Sequence, residues 1–186
     1  MRRPIQTGLH NVFMSKILTD RLILTPVLPH HFDVFAQIMR SSVATRYLPK
    51  EEPYTDQEIT RYVDVRVAHW QRGFGTYVVS LKAQPEQLLG YSGVEFLPTK
   101  LHCDIRYGLI ESAQGQGIAY EAASAVVFQT FHTQPVDTIY GVAVEANLPS
   151  VHLIKKLGMK PASVELYPGA YVVTFSISRR RWFEQA

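Results

Sequence analysis

Gln114-Gly115-Gln116-Gly117-Ile118-Ala119 is the stretch of this sequence best suited to chemistry. It stands between a predicted strand ending near Ile110 and a predicted helix starting at about Gly117. Two glycines let the backbone turn tightly and approach a ligand without Cβ collisions. The N–H groups of a helix's first turn lack intrahelical partners and carry the positive end of the dipole, so a diphosphate fits there. The same glycines would also serve a plain strand-to-helix turn. Other phosphate loops fit less well: there is no Gly-Lys-Ser/Thr ending as in a Walker loop, and Tyr120 takes the place of the third glycine of a dinucleotide pattern. Gly73-Phe74-Gly75 precedes a strand and not a helix.

Four further side chains could take part in chemistry. Asn147 is placed to cap a helix whose first turn holds Pro149 and Ser150, so the Ser150 hydroxyl is either a support for that terminus or a free donor beside it. Glu95 and Asp104 fall on successive predicted strands, where a carboxylate facing an apolar cleft can gain the raised pKa of a general base; both would otherwise be solvated strand residues. His152 is no partner for Ser150, because two residues of helix turn their side chains about 200° apart. The seven histidines and the lone Cys103 show no metal-ligand spacing, and no metal is expected.

The elements that position these residues follow from periodicity. Arg21 to Thr25 reads as a strand, and Pro29 opens a helix through Phe32, Phe35 and Met39. Thr55, with Glu58 three residues on, forms a capping box for a helix carrying Ile59, Tyr62, Val63, Val67 and Trp70 on one face and stopping at Gly73. Thr76–Lys82 and Leu88–Leu97 are strands about a turn at Gln84-Pro85-Glu86, and His102–Ile110 follows a turn at Pro98-Thr99-Lys100. Ile118–Phe131 is a mostly buried helix, and 137–144 is an apolar run typical of a central strand covered on both faces. A helix from Asn147 to Gly158 precedes strands at 162–167 and 171–177. The resulting class is α/β with a mixed α+β order: about seven strands in one mixed sheet, flanked by about four helices.

At 186 residues, with 46% apolar, residues 17–186 suit a single domain, preceded by an extension at 1–16 expected to be mobile. A net charge of +3 is a weak basic bias, partly due to Arg2-Arg3 and Arg179-Arg180-Arg181, which read as solvated terminal charge, so no nucleic-acid partner is expected. The single cysteine suits a reducing cytoplasm. No apolar run suits a secretory signal or a membrane span, so no membrane partner is expected either.

Gln114, Gly117 and Ala119 match Gln/Arg-x-x-Gly-x-Gly/Ala, the acyl-coenzyme A loop of the GNAT superfamily of N-acetyltransferases. Downstream, Asn147-Leu-Pro-Ser150 followed by Lys156-Leu-Gly-Met159 resembles the family's second signature, Asn-x-x-Ser running into Lys-Leu-Gly-Phe. Thr19-Asp-Arg-Leu-Ile-Leu24, Tyr47-Leu-Pro49, Leu89-Gly-Tyr-Ser-Gly93 and Asp104-Ile-Arg-Tyr107 resemble the branch containing the ribosomal-protein N-terminal (alanine/serine) acetyltransferases. Departures are Thr25 for a common arginine, Arg106 for a common glycine and Met159 for phenylalanine. Arg106 adds bulk and charge beside the expected cleft.

The resemblance implies a GNAT fold: a mostly antiparallel, twisted sheet with a central splay, in which the strand ending at Leu109-Ile110 diverges from 139–144 and pantetheine lies in the gap. It implies acetyl-CoA as the acyl donor and an amine acceptor, either a protein N-terminus or a small molecule. The cofactor-binding residues are then Leu109, Ile110, Gln114, Gly115, Gln116, Gly117, Ile118, Ala119, Asn147 and Ser150, with backbone N–H groups near Leu109 as oxyanion donors. Many relatives use a tyrosine as general acid where this chain has Ile154. Ser150 is the expected substitute, with Glu95 and Asp104 as candidate bases. Residues 40–56 are expected to line the acceptor side. The vacant tyrosine position and Arg106 motivate an alternative, a non-catalytic acyl-CoA-binding regulatory module, and exposed edge strands are compatible with a homodimer.

Overall fold

In the computed structural model, which describes residues 16–98, 101–167 and 171–185, Leu22 and Leu24 turn inward while Ile23 and Thr25 lie half-buried. That is the two-residue alternation of a strand packed on one face. The strands are β1 (Ile17–Leu18), β2 (Leu22–Pro26), β3 (Thr76–Leu81), β4 (Gln84–Phe96), β5 (Cys103–Leu109), β6 (Thr138–Val144), β7 (Lys160–Pro161) and β8 (Val172–Ser178). They form one eight-stranded sheet in the order β1-β2-β3-β4-β5-β6-β8-β7. Every pairing is antiparallel except β5 with β6. The helices are α1 (Phe32–Met39), α2 (Ser42–Thr45), α3 (Asp56–His69), α4 (Ile118–Thr133), α5 (Leu148–Lys156) and α6 (Arg179–Glu184). This is the mixed α/β class the sequence predicts, with β1, the one-turn α2 and the terminal α6 added.

The two faces of the sheet carry different helices. On one, Phe35 of α1 stacks on Tyr91 of β4 at 4.9 Å, and Tyr62 of α3 meets the same ring edge-on. Thr55 starts α3 as the capping box requires: the Thr55 N–H donates to Glu58 Oε2 at 2.7 Å, and the Glu58 N–H returns to Thr55 Oγ1 at 3.4 Å. On the other face, α4 buries Ala122, Ala123, Val126, Val127 and Phe131, and α5 lies beside it. Small residues at the start of the buried stripe let α4 approach the sheet closely.

Several sequence expectations shift. The β3–β4 turn is Lys82-Ala83, two residues earlier than Gln84-Pro85-Glu86. Irregular pairing between Val79 and Leu81 absorbs the extra residues, and Pro85 is tolerated in the exposed tip of β4. β6 buries Ile139, Gly141 and Ala143 but leaves its alternate residues half-buried, because α5 covers it from one side only, through Ile154 and Met159 against Gly141. Residues 162–167 are not a strand: after Ala162 the chain leaves the sheet edge and Tyr167 bonds to Asp104 across the molecule. Arg179 is not solvated terminal charge, since its guanidinium donates to the carbonyls of Val136 and Gln134 and fixes the entry to β6. Residues 1–15 and the turn residues 99–100 lie outside the described residues.

Two histidines pin loops as neutral imidazoles. The His31 Nδ1 accepts the Leu28 N–H at 3.0 Å, and burial, reinforced by the neighbouring His30, lowers its pKa to about 4. His69 donates through Nδ1 to the Phe74 carbonyl and accepts the Phe96 N–H at Nε2, tying α3 to β4; burial is the chief cause of its lowered pKa. A depressed histidine pKa means that the unfolded chain binds the proton more tightly, so stability present above about pH 6.5 is lost as pH falls toward 4. Thermal unfolding followed between pH 7 and 4 is expected to show this decline. It should be smaller in His31→Asn, whose amide oxygen can still accept the Leu28 N–H but does not titrate.

Candidate active site

β5 is paired along its whole length with β4, from Phe96↔Cys103 to Gly90↔Leu109. With β6 it pairs only at Cys103↔Ile139 and Asp104↔Tyr140, after which the two strands separate. Antiparallel ladders alternate, so which β5 amides face the gap follows from one bond. The Ile110 N–H donates to the Leu89 carbonyl at 2.9 Å, which commits Ile110 to β4 and turns the N–H groups of Leu109 and Tyr107 toward the opening. Of the two amides the sequence grouped together, Leu109 alone is available there.

The Gly-rich loop lies directly beyond. Gly115 and Gly117 adopt φ of 73° and 77°, the left-handed region that an L side chain enters only with strain. A Cβ at Gly115 would meet nothing, so its torsion and not its packing calls for glycine. Among the described residues, no loop or capping hydrogen bond uses the N–H groups of Gly115 through Tyr120. The first one used is that of Glu121, which donates to the Gly117 carbonyl at 3.1 Å. The amides of Gly115, Gln116, Gly117, Ile118 and Ala119 therefore form an open cradle at the positive end of a 16-residue helix.

Side chains brace this cradle instead of filling it. Gln114 Nε2 donates to the Leu109 carbonyl at 3.1 Å and Gln116 Nε2 to the Ser112 carbonyl at 2.8 Å, while Ile118 is buried in the core. Arg21 donates through Nε to Glu121 at 2.7 Å and through Nη1 to the Gln116 carbonyl at 3.1 Å, bringing a half-exposed cation to the loop. Its only signal in the sequence was membership of the opening strand.

On the far bank of the gap, Asn147 Oδ1 accepts the Ser150 N–H at 3.4 Å and so caps α5, leaving its Nδ2 without a partner among the described residues. The Ser150 hydroxyl is 2.6 Å from the Tyr107 hydroxyl, which also donates to the Ser150 carbonyl at 3.2 Å. Burial pushes the Tyr107 pKa up to about 12 against the opposing pull of that bond, so at neutral pH the phenol keeps its proton. Tyr107, read from the sequence as a cleft wall, thus holds Ser150 across the opening. Ile154, at the family's tyrosine position, is buried and presents no polar group.

Glu95 and Asp104 are direct cross-strand partners, each about 4% exposed. Glu95 Oε1 accepts from Thr76 Oγ1 at 2.7 Å; Asp104 accepts from Arg106 Nε at 3.1 Å and from the Tyr167 hydroxyl at 2.5 Å. The Arg106 Nε also stands 3.7 Å from Glu95. Burial raises the Asp104 pKa, with Arg106 and Tyr167 pulling it back, and Asp104 in turn holds the Arg106 guanidinium charged. The structure brings the two acids together but sets Asp104 about 17 Å along extended chain from Leu109. The charge Arg106 adds is absorbed by this pair.

An acetyltransferase (GNAT) domain model matches residues 21–160. The chain belongs to the GNAT acetyltransferase family. Solved structures share this GNAT fold: an acetyltransferase from Agrobacterium tumefaciens superposes with a TM-score of 0.79 at 19% identity, covering 95% of this chain and 99% of its own. A Salmonella typhimurium acetyl transferase that modifies the N-terminal serine of ribosomal protein L7/L12 gives 0.71 at 18%, covering 88% and 99%. RimL, the ribosomal L7/L12 alpha-N-protein acetyltransferase in complex with coenzyme A, gives 0.72 at 16%, covering 88% and 98%. No curated protein matches.

This GNAT enzyme therefore has a splayed sheet, an open amide cradle and a hydroxyl pair on one connected groove. Among the described residues no group of three or more histidine, cysteine or acidic side chains could hold a metal, and no helix is long and apolar enough to cross a membrane. Arg106→Met is expected to strand two buried carboxylates and to cost about 3 kcal/mol in urea unfolding at pH 7. Because the orphaned acids then take up protons more readily in the fold, the deficit should shrink toward pH 4.

Proposed function

We propose that this chain transfers the acetyl group of acetyl-CoA to a primary amine, either a protein N-terminus or a small molecule. The observation that carries the reading is the continuity of unpaired amides from Leu109 at the splay to the cradle at Gly115–Ala119. An acyl-CoA needs such a track: amides for the diphosphate, an open strand edge for the amide-bearing pantetheine arm, and a donor at the carbonyl. The protein N-terminal acceptor named for the RimL and Salmonella neighbours supports the first alternative for the amine.

In this reading the N–H groups of the loop hold the diphosphate, and Arg21 supplies positive charge beside it. The Leu109 N–H donates to the thioester oxygen as charge develops there. The neutral amine forms the new C–N bond as the C–S bond breaks. Ser150, whose oxygen can accept the Tyr107 proton while its own O–H turns to the sulfur, protonates the departing thiolate. The proton lost by the amine passes to water. Glu95 and Asp104 act as the buried frame of Arg106, with every close donor already assigned, and not as the base.

Gly117→Glu is expected to weaken coenzyme A binding at least about tenfold, since a left-handed torsion and a negative charge both oppose the diphosphate. Calorimetric titration with coenzyme A checks this, and unchanged affinity would remove the cradle assignment. Ser150→Ala should lower kcat by about 10- to 100-fold with little change in KM for acetyl-CoA, and Tyr107→Phe by a smaller factor. Steady-state assays against N-terminal peptides, polyamines, aminoglycosides and amino acids read this out. Intact coenzyme A binding without turnover on any of them would favour a regulatory module.

A further inference from the structure

The stripe of α3 that faces the sheet runs Ile59, Val63, Arg66 and then Trp70 just past its end, so an arginine occupies a core position. Arg66 is 3% exposed. Its guanidinium lies over the Tyr62 ring at 3.1 Å, and its Nη1 donates to the Tyr62 carbonyl at 2.8 Å. No carboxylate pairs with it among the described residues, and residues 1–15, 99–100, 168–170 and 186 contribute no acidic side chain. Its Nε is buried without any partner. A buried charge with neither counter-ion nor full hydrogen bonding is costly, and such groups persist where a ligand completes them.

Its place in the fold says which ligand. Tyr62 meets Tyr91 hydroxyl to hydroxyl at 3.2 Å, and Tyr91 lies so close over Gly108 that a Cβ there would stand 3.1 Å from that hydroxyl. Gly108 precedes Leu109, so three side chains lead from the reacting end of β5 to Arg66 on the face covered by α1 and α3. Nη1 is engaged, which leaves the edge formed by Nε and Nη2. That edge offers two parallel donors and matches a planar carboxylate side-on.

We infer that Arg66 is the anchor for a carboxylate carried by the amine acceptor, so the enzyme prefers acidic amines. This rests on the N-acetyltransferase reading. The carboxylate can belong to a small amino acid or to an acidic residue next to a peptide N-terminus.

The test separates binding from turnover by using coenzyme A, which has no acetyl group to give. Calorimetric titration of the coenzyme A complex compares β-alanine with β-alaninamide, and the amidated peptide seryl-aspartyl-alanine with seryl-asparaginyl-alanine. At least one carboxylate partner is expected to bind tenfold or more tightly than its amide, and which pair shows the gap identifies the source. In Arg66→Met the gap should vanish, while the melting temperature holds or rises because an uncompensated charge has left the core. Arg66→Lys, a cation without the fork, should keep part of the gap. Equal binding within both pairs, including no binding of any, overturns the inference, as does a gap that survives in Arg66→Met or a loss of stability in that variant. Acetyl transfer to neutral amines without any such gap would leave the enzyme reading standing and this one refuted.

Discussion

The fold depends on two adjacent parallel strands that stop bonding after two residues. β5 and β6 meet at Cys103 and Asp104 and then part, at the cost of leaving backbone donors and acceptors of both strands unpaired in the middle of a sheet. The rest of the molecule keeps that defect open. β4 holds β5 rigid from its other side, β8 does the same for β6, α5 is wedged against Gly141, and the Tyr107–Ser150 bond spans the opening. A sheet that closed would be more fully bonded and would have no groove.

Legibility in the sequence followed the range of the interactions. Features decided within a few residues were readable: the capping box at Thr55, the Asn147 cap, the stop at Gly158, the strand-to-helix cradle at 114–119. Features decided by register were not. Glu95 and Asp104 are nine residues apart on consecutive strands, and only the pairing shows that they are one cluster. Tyr107 and Ser150 are separated by 43 positions, and nothing in either neighbourhood signals the other. The turn at Lys82-Ala83 was hidden by Pro85, a turn-forming residue that here sits in an exposed strand tip. Arg66 was missed for a different reason: a stripe of apolar residues is found by looking for apolar residues, and an arginine inside it reads as an interruption.

Charge is distributed unevenly about the groove. On the α4 side the cradle is positive through backbone dipoles and Arg21, while nearby Glu121 is engaged by the latter. On the α1 and α3 side, two acids and one arginine form a closed network tied to Tyr167, which draws the segment after β7 back across the sheet. That network explains how a residue as large as Arg106 stands where relatives have glycine: its charge is consumed by its own strand and the neighbouring one, and it braces the wall instead of blocking the opening.

Gly115 differs from the other turn glycines in having no neighbour at all. Conformation alone polices the position, and asparagine or aspartate, which visit the left-handed region more readily than other residues, could replace it without displacing an atom. Natural drift there can consequently retune how strongly the mouth of the cofactor channel attracts anions, leaving the architecture behind it untouched.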